Sequence, residues 1–368
     1  MQIAQELSLK QILRERTTEG VLYKNLGNGR IECFACGHRC AIGEGKEGIC
    51  KVRYNEGGKL RVPFGYVGAL QLDPVEKKPF FHALPGALAM SFGMLGCDYH
   101  CAYCQNWITS QALRDPEAVS LPSAISGEEF VALAEEQGAG IITSTYNEPL
   151  ITSEWAVEVF KIARRRKLVT SYVSNGNATP EVLDYLRPWV DLYKVDLKGF
   201  NDRRYRTLGG VLQNVLDTIT RLHAMHFWVE VVTLIIPGFN DSPDEIKDIA
   251  RFLASVSPDI PWHVTAFHAD YKMTDTARTE AAALVSTAEL GRAEGLRYVY
   301  AGNLPGMVGN FENTWCPSCG EMLVERIGFR VKSVRLADGF CPKCRLQIPG
   351  VWSAAAARAG VTAAQNSA

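Results

Sequence analysis

The stretch SFGMLGCDYHCAYCQNW, residues Ser91 to Trp107, places three cysteines, Cys97, Cys101 and Cys104, at C-x3-C-x2-C spacing directly behind an apolar run. A structural zinc site takes four ligands, usually as two separated C-x2-C pairs, and a disulfide framework takes an even number of cysteines. A metal centre held by three thiolates on one tight loop keeps one corner open, so the rest of the chain has to supply what fills it.

A regular alternation follows. Between about Ala87 and Asn303, the β-rich runs ALAMSFGML, GIITSTY, LVTSYVSN, LYKVDLKG, WVEVVTLIIPG, WHVTAFHA and an optional seventh, RYVYAGN, alternate with amphipathic helical stretches. This order marks βα units wound on a parallel sheet, and six or seven of them predict an α/β fold built as a partial (β/α)6 barrel. Helix starts are signalled by Ser242-Pro243-Asp244-Glu245 ahead of Ile246, Ile249, Ala250 and Leu253, and by Ser126 with Glu129 ahead of Phe130, Leu133 and Ala134. The run Arg164-Arg165-Arg166-Lys167 closes a helix, where cations complement the dipole, and is read as that rather than as a nucleic-acid contact.

The 39 Lys+Arg and 40 Asp+Glu leave a formal charge of -1, which argues against broad capture of nucleic acid or of an anionic membrane. The opening MQIAQELSLKQILRERTTEG has scattered charges and does not read as a secretory signal, and nowhere do roughly 18 apolar residues run together. The expectation is a cytoplasmic chain. All 11 cysteines fall into three sets, and such clustering favours metal ligation over disulfides.

The first set, Cys33, Cys36, Cys40 and Cys50, lies in CFACGHRCAIGEGKEGIC, where Gly43, Gly45 and Gly48 suit a tight metal loop and His38 is a candidate substitute ligand. Four thiolates satisfy a tetrahedral zinc or a closed iron-sulfur cluster equally, so the ligand count leaves both open. The last set, Cys316, Cys319, Cys341 and Cys344, forms two knuckles, CPSC and CPKC, around a stretch that reads as a hairpin. Zinc-ribbon or rubredoxin-like spacing predicts zinc there, with a single iron as the alternative. The expected organisation is an N-terminal lobe with a four-Cys site over 1–84, the barrel over 85–306, the ribbon over 312–352 and a frayed tail over 353–368.

Cys97, Cys101, Tyr103 and Cys104 match C-x3-C-x-aromatic-C, and here the chain resembles the radical S-adenosylmethionine (radical SAM) enzymes. The resemblance implies a 4Fe-4S cluster on the three cysteines and S-adenosylmethionine chelating its open iron, with an electron donor such as flavodoxin or ferredoxin. It also implies cosubstrate contacts at the C-terminal ends of later strands. Asn147 and Glu148 of TYNEP are the candidates for the ammonium group, and Ser174 and Asn175 of SNG for the ribose and carboxylate region. Asp196, Leu197 and Lys198, together with Phe267 and His268, resemble motifs of the activating enzymes of glycyl radical enzymes; by that resemblance Lys198 meets the carboxylate and His268 the ribose. Where those activases often have Asp-Thr-Asn-Gly, this chain has Val173-Ser174-Asn175-Gly176, which puts a bound monovalent cation in doubt.

In the order CFACGHRCAIGEGKEGICKVR, DPVEKKPFFHALPG, GMLGCDYHCAYCQNW, TYNEP and a terminal CPSCG, CPKC and IPGVW, the chain resembles over nearly its whole length the radical enzyme of the AmmeMemoRadiSam system, a relative of the pyruvate formate-lyase activases with Memo-like and AMMECR-like companions. The implied activity is hydrogen abstraction by a 5′-deoxyadenosyl radical, with a partner protein as the expected substrate. A small-molecule substrate and a non-catalytic metal-binding scaffold stand as alternatives.

Overall fold

The computed structural model describes residues 7–358. Its centre is one eight-stranded sheet: β1 Ala69–Pro74, β2 Leu88–Gly93, β3 Ile141–Ser144, β4 Val169–Ser174, β5 Leu192–Asp196, β6 Trp228–Ile235, β7 Trp262–Ala266 and β8 Val299–Gly302. The strands neighbour one another in chain order. β2 to β8 are parallel, and β1 pairs antiparallel with β2. Each βα unit thus advances the sheet by one place, and with β1 and β8 unpaired to each other the barrel stays open on one side. The optional seventh run is the strand β8. The eighth strand, β1, comes from the stretch that sequence reading assigned to the N-terminal lobe.

β3 and β4 are buried along almost their whole length because helices cover one face and the barrel interior the other. The covering helices are α1 Gly127–Glu136, α2 Ser153–Arg165, α3 Pro180–Leu186, α4 Leu212–Ala224, α5 Pro243–Val256 and α6 Ala281–Ala293. Ser126 and Glu129 form the reciprocal cap of α1, and the Ser242 side chain accepts from the Glu245 N–H at the start of α5. The basic run does end α2: Arg164 pairs with Asp191, and Arg165 reaches Glu128 at 2.9 Å.

Two additions are fastened to this barrel. The N-terminal lobe consists of two small three-stranded sheets, and its Arg53 makes two 2.7 Å bonds to the carboxylate of Glu154 in α2. The C-terminal module is a sheet of Thr314–Trp315, Met322–Ile327 and Arg330–Val334, whose last two strands are the expected hairpin. Arg326 of that hairpin donates to the Phe81 carbonyl at 2.7 Å, and His82 bridges Tyr300 of β8 and the Pro349 carbonyl, both at 2.6 Å.

The start of the tail assigned as frayed forms a short helix, Ala354–Arg358, and Ala357 is buried against Val75, Val169 and Trp228. Residues 359–368 of that tail lie outside the described residues. With Phe80, Ala83 and Val351 these side chains close the N-terminal end of the barrel with an apolar plug, leaving the C-terminal end for chemistry. No helix among the described residues is long and apolar enough to cross a membrane.

Candidate functional site

The loop that opened the sequence reading emerges from β2 at the C-terminal end of the barrel. Gly96 makes the turn at φ +93°, and a Cβ there would sit 2.9 Å from Val52 Cγ1 and 3.0 Å from the Cys50 carbonyl oxygen, so only glycine lets the loop lie this close to the N-terminal lobe. The Cys104 N–H bonds to the Cys101 carbonyl at 3.2 Å, and Cys104 Sγ lies 3.2 Å from Ser110 Oγ. Burial pushes the Cys101 thiol up to about 12, with Lys198 pulling the other way. Burial first, then Asp98 and Glu148, hold Cys97 well above its usual range. A metal binds the thiolate, so loading these cysteines would displace their protons.

Cys101 and Cys104 open onto a cavity of about 610 Å³ in the barrel mouth. Four of the predicted cosubstrate residues line it: Tyr103, Asp196, Lys198 and His268. Asp196 at the end of β5 takes Lys194 on one oxygen and Lys198 on the other, the latter at 3.5 Å. Burial alone would raise its carboxyl, but the two lysines outweigh burial and keep it below the usual range. His268, just beyond β7, is exposed at the rim and meets Gln105 of the cysteine loop at 3.1 Å. Tyr103 is buried, edge-on to Phe239, and its hydroxyl has no hydrogen-bond partner among the described residues.

The other four predicted residues form a buried layer beneath the cysteine loop and are not among the cavity-lining residues. Asn147 Oδ1 accepts from the Met94 N–H at 3.0 Å and so ties β3 to the loop. Glu148 accepts from Ser174 Oγ at 2.7 Å, from the Asn175 N–H at 2.7 Å and from the Leu150 N–H at 3.1 Å. Burial, then the charge of Asp98, raise its carboxyl to about 8.

Several residues that sequence reading passed over belong to the site. Asp98, fully buried beside Cys97, accepts from Asn175 Nδ2 at 2.7 Å and Asn177 Nδ2 at 2.9 Å. Deeper in the cavity, Lys194 lies near Lys78, which donates to Asp73 at 3.0 Å and to Tyr146 Oη at 2.8 Å. His263, also in the lining, pairs at 2.6 Å with the buried Glu230. Lys194 carried a readable signal, since it sits two places before Asp196 on the same inward face of β5.

A profile of the radical SAM superfamily matches residues 93–253, the cysteine loop and the sheet through α5. An uncharacterized protein of Methanocaldococcus jannaschii is 36% identical over 330 residues, which cover 89% of this chain and 97% of its own. The chain carries a radical SAM domain. It is also similar to activating enzymes: 29% identical over 135 residues to the isethionate sulfite-lyase activating enzyme of Oleidesulfovibrio alaskensis, covering 34% of this chain and 43% of that one. With the pyruvate formate-lyase 1-activating enzyme of Escherichia coli K12 it shares 24% identity over 174 residues, covering 46% of this chain and 69% of that one. A radical SAM domain implies a 4Fe-4S cluster and S-adenosylmethionine, and the donor set fits: three thiols on one loop, of which Cys101 and Cys104 line the cavity and Cys97 lies 3.8 Å from Asp98 Oδ1.

The two outer cysteine sets differ from each other. Cys316, Cys319, Cys341 and Cys344 bring their sulfurs within 4.8 Å of one another, with Cys316–Cys344 at 3.5 Å and Cys319–Cys341 at 3.6 Å. A single tetrahedral metal with bonds of about 2.3 Å puts its sulfurs about 3.8 Å apart, so this spacing suits one metal ion. The Leu346 N–H brings Cys344 down to about 7. In the N-terminal lobe, Cys33, Cys36 and Cys50 are buried and Cys40 is half-buried. His38 Nε2 is buried without a hydrogen-bond partner, 4.0 Å from Asp98.

Proposed function

We propose that this chain is an enzyme that binds S-adenosylmethionine at a cluster on Cys97, Cys101 and Cys104 and uses it to abstract hydrogen from a substrate, as an activase does from a partner protein. The observation that carries this reading is the meeting of Cys101 and Cys104 with Tyr103, Asp196, Lys198 and His268 on one cavity. The chemistry supplied by the bound cluster and cosubstrate is one-electron cleavage of the sulfonium bond to methionine and a 5′-deoxyadenosyl radical.

The protein's residues bind, orient and exclude. Lys198, anchored by Asp196, presents an ammonium beside Cys101 for the cosubstrate carboxylate. Glu148, Ser174 and Asn175 fix the floor beneath it, and Glu148 becomes the acceptor for the ammonium group once that charge offsets Asp98 and burial. His268, steadied by Gln105, covers the rim on the ribose side. Buried β-strand walls and the apolar plug keep water and stray hydrogen donors away.

A partner protein as substrate is supported by the likeness to activating enzymes, and it brings with it a low-potential donor of the flavodoxin or ferredoxin class. Memo-like and AMMECR-like companions, a cytoplasmic setting and zinc in the ribbon belong to the same reading. One observation favours a second reading: the inner cavity gathers Lys78 and Lys194 with Tyr146 and His263, which suits the carboxylate or phosphate of a small molecule. Partner proteins made with deuterated glycine separate the two. Deuterium appearing in 5′-deoxyadenosine together with a glycyl EPR signal supports the activase, whereas turnover of a small anion with no label and no protein radical overturns it.

A further inference from the structure

We propose that Cys33, Cys36, Cys40 and Cys50 hold a second 4Fe-4S cluster, closed by four protein thiolates and packed directly against the Cys97 loop. Thiolates on a cubane lie farther apart than on one metal ion, at roughly 6 Å against about 3.8 Å. The three cysteine sets sort on this difference. Only the ribbon quartet gathers its sulfurs within 4.8 Å among the described residues. Neither the trio, which the radical SAM domain implies is a cluster site, nor the N-terminal quartet does so.

The surroundings fit a redox centre better than a structural ion. Cys33, Cys36 and Cys50 are at most 6% exposed, packed with Ala35, Val52 and Ile151, and the Ile49 N–H donates to Cys40 Sγ at 3.5 Å, a bond that favours thiolate. The quartet's loops then flank the Cys97 loop on two sides. On one side Gly96 is pressed against the Cys50 carbonyl. On the other, the Gly37 N–H donates to the Asn177 carbonyl at 2.8 Å, and Asn177 Nδ2 donates to Asp98 at 2.9 Å. A zinc that only stapled the lobe would need no such continuity, whereas a carrier that takes one electron from a low-potential donor protein and hands the same electron on does. The step makes and breaks no bond.

This inference shares with the proposed function only the trio's identity and is tested without turnover. The variant Cys97→Ala/Cys101→Ala/Cys104→Ala, reconstituted anaerobically with iron and sulfide, is expected to keep about four iron and four sulfide per chain, with a cubane Mössbauer spectrum and an EPR signal on reduction. Protein without a cubane, whether it carries zinc in both quartets or metal in the ribbon alone, would overturn the assignment. Should that variant fail to fold, the comparison of wild type with Cys36→Ser/Cys50→Ser decides, since wild type should hold about twice the iron of the variant and equal iron refutes it. Reduced wild type should show EPR lines broadened by coupling between two clusters, and a plain sum of two unbroadened signals would refute the contact. Failure of S-adenosylmethionine cleavage leaves all three readouts standing, so the two readings fail separately.

Discussion

Replacing Arg53 by Met tests how the N-terminal lobe is held to the barrel. Arg53 is 1% exposed and Glu154 7%, and the guanidinium makes two parallel 2.7 Å bonds to the carboxylate and a third, of 3.1 Å, to the Ile151 carbonyl. Without it, Glu154 keeps backbone N–H donors such as Val21 at 3.3 Å but becomes a buried charge with no counter-ion among the described residues. Removing one partner of such a pair costs about 3–5 kcal/mol. Removing both, as in Arg53→Met/Glu154→Leu, should recover most of that, because the surviving cost is then packing alone. Urea unfolding under anaerobic conditions, followed by tryptophan fluorescence, measures the difference. The effect also has a pH signature. Burial raises the Glu154 carboxyl, but Arg53 outweighs burial and holds it below its ordinary range. A carboxylate depressed in this way contributes stability that is present above its unfolded value, about 4.3, and is lost as pH falls through the folded one. The gap between wild type and Arg53→Met should therefore be full near neutral pH and narrow in acid. A single-variant loss under about 1 kcal/mol, or a gap that widens in acid, would refute the reasoning.

Other expectations follow from the site. Glu148→Gln replaces an acceptor facing the Asn175 N–H with a donor and should weaken S-adenosylmethionine binding about tenfold or more by isothermal titration, while unchanged affinity would remove Glu148 from the cosubstrate floor. Gly96→Ala forces a Cβ into φ +93° and against the Cys50 carbonyl, so it should cost about 1–3 kcal/mol and disturb the spectra of the cysteine loop; full stability with native spectra would show that the loop does not need the close approach. Cys341→Ser should release one metal per chain and expose the ribbon, Thr314 to Val334, to limited proteolysis without altering the iron bound elsewhere; retained metal or unchanged resistance would contradict a single-metal ribbon.

The parallel strands were legible because each is buried on both faces, so Ile141–Ser144 and Trp228–Ile235 stand out as short apolar, β-branched runs between capped helices. β1 was not, since ALQLDP is a half-exposed edge strand whose residues carry neither an apolar run nor a strict alternation. The cysteine loop could be read from spacing alone, and Asp196, Lys198 and His268 from their places after strands. Asp98 could not, because what it does depends on Asn175 and Asn177, which are far along the chain and arrive only when β4 is wound beside β2 and β3. Lys78 was hidden for a similar reason: it lies in the stretch assigned to the N-terminal lobe and reaches the cavity by pairing with Asp73 of β1 and Tyr146 after β3. That Asn147, Glu148, Ser174 and Asn175 form a layer behind the cavity wall also lay beyond reach, because a strand end shows which residues arrive there but not how their hydrogen bonds close on one another.

On the proposed reading, three thiolates on one loop support cleavage of S-adenosylmethionine. The most direct measurement is 5′-deoxyadenosine formation by chromatography after anaerobic reconstitution, with dithionite and S-adenosylmethionine, in wild type and in Cys101→Ala. Wild type should form it, and the variant, lacking one of three cluster ligands, should form none. Equal amounts from both proteins, or none from a wild type whose EPR shows the trio's cluster loaded and reduced, would contradict the account.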